Sequence, residues 1–76
     1  MTVRQEYVCA VEDFVAAVQA HHAAVEYLKF AVQAGPKTFA LAVQAVAECA
    51  QRVLGAQARV DTLGLALKKT LKTARD

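Results

Sequence analysis

The stretch AVQAGPKTFALAVQA, residues 31–45, decides the fold. Gly35-Pro36 lies within it, with alanine-rich apolar sequence on either side. Glycine suits the position just past a helix C-terminus, where the backbone turns left-handed, and proline suits the first turn of the next helix, where its missing N–H costs nothing. The pair predicts a helix ending near residue 34, a turn at 35–36 and a second helix starting at about residue 37.

Upstream of the turn, one heptad position holds Val11, Val18, Val25 and Val32, and the position three residues on holds Phe14, His21 and Leu28, with Tyr7 one heptad earlier. Apolar residues repeating every 3.5 residues line the seam between two packed helices. Ala10, Ala17, Ala24 and Ala31 each precede one of these valines, and small residues at a fixed heptad position let a neighbouring helix come close. Val8 and Val15 widen the stripe on its other side. The pattern predicts a helix over about residues 3–34.

Downstream, a second seam holds Phe39, Val46, Val53, Val60 and Leu67. It is flanked by Val43, Ala50 and Leu71 on one side and by Ala42, Cys49, Ala56 and Leu63 on the other. Gly55 and Gly64 each weaken a helix by about 1 kcal/mol relative to alanine. Val53, Val60 and Leu67 nevertheless keep register through both, so one helix is expected over about residues 37–73. The fold class is therefore all-α. Residues 1–76 form a single domain, an antiparallel two-helix hairpin of coiled-coil type, with facing residue numbers adding to roughly 71.

A lone hairpin of 76 residues cannot cover stripes this wide. The remaining apolar surface calls for a partner: a second copy completing a four-helix bundle, with a dimer the first expectation, or a helical partner protein. The residues expected at such an interface are Val11, Phe14, Val18, Val25, Leu28 and Val32 on the first arm and Phe39, Val46, Val53, Val60 and Leu67 on the second.

Nine Lys+Arg against seven Asp+Glu give a net charge of +2, too balanced for nucleic acid to be the default partner. The charge is uneven, with the acidic residues Glu6, Glu12 and Asp13 early and Lys68, Lys69, Lys72 and Arg75 late. An antiparallel hairpin brings these groups to the same open end, where they are expected to pair. The basic tip is also the candidate contact for RNA or another anion, against the simpler account that cations suit a helix C-terminus. The first residues lack a secretory pattern, and no run reaches the ~18 uncharged apolar residues of a membrane span, so no transmembrane segment is expected. Two cysteines in such a chain point to a reducing compartment, and hence the cytoplasm.

Candidates for chemistry are few. His21, His22 and Cys49, with Glu48 nearby, are residue types that hold zinc. Adjacent histidines on a helix project about 100° apart, however, and metal sites on helices use spacings of three or four. No metal site is assigned, and His21 is read as a seam residue with His22 at its edge. Cys9 and Cys49 fall far apart along the hairpin, too far for an intrachain disulfide, and both are read as small buried apolar residues. Glu12-Asp13 suits solvent, and no nucleophile, base and orienting group come together. The expectation is a protein without enzymatic activity or cofactor.

Residues 23–60, AAVEYLKFAVQAGPKTFALAVQAVAECAQRVLGAQARV, resemble phasins, the helical proteins that coat polyhydroxyalkanoate granules. In that family a helix ends in a short turn, followed by a phenylalanine and a glutamine-bearing amphipathic helix; Phe39, Gln44, Gln51 and Gln57 are the matching positions. The resemblance implies a helical protein that binds a hydrophobic granule surface. In shape alone the hairpin is also similar to the co-chaperones of type III secretion needle subunits, which mask a partner's apolar helix. Three classes thus stand beside one another. The first is an interaction module acting as scaffold, adaptor or chaperone; the others are a surface-binding amphipathic protein and a nucleic-acid-binding hairpin dimer.

Overall fold

The computed structural model describes residues 2–75, with side chains as far as Thr73. Two helices, α1 (Val3–Ala31) and α2 (Pro36–Arg75), make up the chain, with no strand among the described residues. Their start and stop signals are local. The Thr2 hydroxyl accepts from the Gln5 N–H at 3.2 Å, while the Gln5 side-chain oxygen accepts from the Thr2 N–H at 3.0 Å. This reciprocal cap satisfies two otherwise orphaned donors at the start of α1.

At the other end α1 stops at Ala31, three residues before the position the sequence suggests. The N–H of Gln33 donates to the carbonyl of Phe30 and that of Ala34 to the carbonyl of Ala31, so residues 32–34 tighten into 3₁₀-type turns instead of continuing the α-helix. Gly35 then adopts φ +117°, a conformation that a side chain disfavours. Pro36 opens α2 itself, and the Phe39 N–H closes its first bond on the Gly35 carbonyl at 3.0 Å. From there α2 runs through Gly55 and Gly64 without a break.

Two contacts fix how the helices pair. A β-carbon on Gly64 would lie 3.4 Å from the Tyr7 ring, and Arg59 Nη1 donates to Asp13 Oδ2 at 3.4 Å. Facing residue numbers therefore add to 71 or 72, an antiparallel hairpin whose register follows from its short turn. With 40 residues against 29, α2 runs past the start of α1 from about residue 69 onward. The molecule is a rod of 62 × 17 × 13 Å between Cα extremes.

Among the described residues the buried core consists of alanine alone: Ala10, Ala17, Ala31 and Ala42, with no large side chain fully buried. On α1 this shifts the seam one residue back from the valine column expected to fill it. Tyr7, Phe14, His21, Ala24 and Leu28 flank the buried alanines and are half-buried. Val11 and Val25 are half-buried at the edge, and Val18 and Val32 are exposed. The physical reason is approach distance. Methyl side chains let the two backbones close up and gain contacts along their whole length, whereas a column of β-branched residues would hold them apart. On α2 the inward positions are Ala42, Cys49, Ala56 and Leu63 together with Val46, Val53, Val60 and Leu67, while Phe39 is exposed.

The expected ionic pairing at the open end is also different. Among the described residues the pair linking the two helices is Asp13–Arg59, with Glu26–Lys29 a local pair within α1. Lys68, Lys69 and Lys72 are exposed and make no ion pair with Glu6, Glu12 or Asp13.

Candidate interaction surface

With the alanines turned inward, the valines of α1 become a second seam. Val8, Val11, Val15, Val18, Val25 and Val32 recur at intervals of three, four and seven, with His22 and Lys29 completing the series. This column stands one residue on from the alanine column, and therefore about 100° round the helix from it. On α2 a matching series runs Phe39, Val43, Val46, Ala50, Val53, Gln57, Val60, Gly64, Leu67, Leu71.

The two series lie on one side of the hairpin. Val32 and Phe39 line the same cleft with Gly35 and Pro36, an open hollow of about 300 Å³ at the turn. Residues seven apart on packed helices share a face, and burial varies down it: Val32 and Phe39 are exposed, Val18 is exposed beside half-buried Val53, and Val25, Val46, Val11 and Val60 are half-buried. Val25 with Val46, Val18 with Val53 and Val11 with Val60 repeat the pairing at successive levels, each in the hairpin's register. The result is a ladder of apolar rungs running down one face. Val8, Val15, Val18, Val32, Phe39, Val43 and Leu71 on it are exposed.

Of the residues expected at an interface, Val11, Val18, Val25, Val32 and Phe39 belong to this ladder, and Val46, Val53, Val60 and Leu67 stand half-buried between it and the inner seam. Phe14 and Leu28 sit instead against the partner helix within the hairpin, half-buried beside the alanines. Phe30 and Tyr27 belong to neither seam; both are exposed, with ring centroids 6.3 Å apart on the outside of α1.

The remaining candidates gain no company. His21 is half-buried and His22 exposed, and no group of three or more His, Cys, Asp or Glu able to hold a metal occurs among the described residues. Cys9, expected to be buried, is exposed, whereas Cys49 is half-buried, and both thiols are free. Lys68 and Lys72 share a face of the free end of α2 with Lys69 to one side; the side chain of Arg75 lies outside the described residues. No helix among the described residues is long and apolar enough to cross a membrane.

The Thr2 cap went unread in the sequence, although Thr-x-x-Gln before an apolar run is its signature. Compared with protein families, with curated proteins and with solved structures, the chain gives no match.

Proposed function

We propose that the chain is a non-enzymatic helical interaction module that self-associates, two hairpins closing their valine ladders on each other to form a four-helix bundle. The observation that carries this is the pair of seams on α1, one residue out of phase. A helix with one neighbour needs one apolar stripe. A helix in a square bundle has two neighbours about 90° apart and needs two stripes, and α1 carries them about 100° apart.

The surface supports the same reading. A compact chain of 8.2 kDa exposes about 4,500 Å²; this one exposes 5862 Å². The excess exceeds the roughly 800 Å² that each partner contributes to a standard interface. The radius of gyration, 17.4 Å, likewise stands well above the ~11 Å of a compact domain of this length. The exposed thiol of Cys9 supports a reducing compartment, and we assign the cytoplasm.

Sedimentation equilibrium over a wide concentration range, with circular dichroism on the same samples, tests the proposal. The wild-type chain is expected to be a helical dimer. Val18→Lys places a charge in the middle of the closed face without touching the alanine seam. An unpaired buried charge costs about 3–5 kcal/mol, so dimerisation should weaken by at least a hundredfold. A variant that keeps both the mass and the helicity of the wild type would sink the proposal.

One feature favours a second reading. Tyr27, Phe30 and Leu41 are exposed and stand off the valine ladder, so a second copy leaves them open. They support contact with a hydrophobic surface, as the phasin resemblance implies. That reading requires helicity to rise when such a surface is added, and unchanged helicity counts against it.

A further inference from the structure

We propose that the two copies lie antiparallel, the turn of one beside the open end of the other, so that Leu71 of each copy fills the other's turn-end cleft. This rests on the self-association proposed above and assigns the cleft an occupant.

The first support is the mismatch in helix length. α1 begins at Val3 under its Thr2 cap, and nothing of α1 lies alongside α2 beyond about residue 69. Leu71 is the ladder residue in that stretch and is 47% exposed. At the opposite end of the same face lies the cleft of Val32, Gly35, Pro36 and Phe39, which no side chain among the described residues fills. One end of the rod presents an uncovered leucine, and the other an apolar hollow.

The second support is register. Antiparallel helices pack best when the two heptad columns of one face those of the other in opposite order. The α2 ladder runs from Phe39 to Leu71, and its midpoint falls at Gly55, the middle of α2 itself. Pairing two α2 helices so that facing numbers add to about 110 sets Phe39 against Leu71, Val43 against Leu67, Val46 against Gly64 and Ala50 against Val60. The small Gly64 and Ala50 thus face valine.

The same two-fold operation also settles α1. Because pairs within a chain add to 71 or 72, it brings together α1 residues adding to about 33. Val8 then faces Val25, and Val15 faces Val18. The α1 pairing follows from the α2 pairing and the hairpin's register, so one axis serves both ladders.

The third support is area. The ladder from Phe39 to Leu71 spans about 48 Å at 1.5 Å per residue. Over the 17 Å width of the rod this gives about 800 Å² per chain, what a stable dimer needs. The competing face-to-face arrangement, turn beside turn, sets α2 of each copy against α1 of the other. Leu71 then lies beyond the end of the facing α1, and both clefts stay open.

Distance measurement between spin labels decides the orientation. With Cys9 and Cys49 replaced by alanine, a label on Lys37→Cys at the exposed turn reports one tip-to-tip distance in the full-length dimer. The antiparallel arrangement places the two labels about 50 Å apart, and turn beside turn places them within about 25 Å. In the otherwise wild-type chain, Leu71→Ser is expected to weaken the dimer at least tenfold, although a leucine so exposed in one hairpin would tolerate the change. A dimer with a short tip-to-tip distance overturns the orientation. A long distance with Leu71→Ser harmless overturns the role of the cleft. A wild-type chain that stays monomeric overturns the self-association on which both rest.

Discussion

Ala16 and Ala17 are neighbours of identical chemistry in opposite surroundings, and replacing each by leucine measures where the seam lies. Ala17 is 6% exposed, in the column along which the helices touch, while Ala16 faces solvent. Leucine and alanine are both strong helix formers, so intrinsic propensity contributes little to either change. At position 17 the three added carbons have no room unless the backbones separate, and overpacking of this kind costs about 1–3 kcal/mol. In a domain of this size each kcal/mol moves the melting temperature by roughly 4–8 °C, so Ala17→Leu should lower it by roughly 5–20 °C. Ala16→Leu meets only water and should stay within about 0.5 kcal/mol of the wild type. Thermal melts followed by circular dichroism give the comparison, at one matched chain concentration because association shifts the midpoint. Equal shifts at the two positions would refute an alanine seam. A larger loss at Ala16 would put the contact on another face altogether.

Two glycines make opposite predictions in urea denaturation. A β-carbon at Gly55 would meet no atom within 4 Å, so Gly55→Ala should stabilise the chain by up to about 1 kcal/mol through helix propensity alone. Gly35 also has open space around it, but its φ of +117° is what a side chain resists. Gly35→Ala should therefore destabilise by roughly 1–2 kcal/mol, and a neutral result would mean the turn does not need that backbone conformation.

The features legible in the sequence are those set by a few neighbouring residues. Gly35-Pro36 states its own geometry, and a turn that short leaves almost no choice of register, so the pairing of Tyr7 with Gly64 follows from counting. The seam of α1 was harder to place because two adjacent columns compete for it. Hydrophobicity ranks the Val11–Val18–Val25–Val32 column above the alanines, whereas the closeness of two backbones ranks them the other way. Sequence alone carries no measure of that distance. The ionic contacts were misplaced in level. Glu12 faces residues 59–60 and Lys68 faces residues 3–4, so the two stand about 12 Å apart along the rod. Asp13 and Arg59 happen to lie on the same flank. Cys9 was expected inside on grounds of residue type, yet it occupies a helical position turned away from both seams.

The same competition explains why the chain carries two apolar stripes per arm. Four buried alanines bury four methyl groups, worth about 0.8 kcal/mol each, and the half-buried ring around them adds only part of its area. Ordering each residue costs about 1–2 kcal/mol, so the alanine seam by itself is a thin basis for a folded rod. What that seam does supply is proximity. It draws α1 and α2 close enough that Val18 and Val53, or Val25 and Val46, form the two rails of one ladder instead of two separate ridges. Filling the seam with valine would give a stouter pair but spread the ladder, and the face proposed to meet a second copy would lose its continuity. A narrow seam that sets the spacing and a broad one left outside are thus complementary parts of one arrangement. The apolar area missing from the inside of the hairpin is the area standing on its valine face.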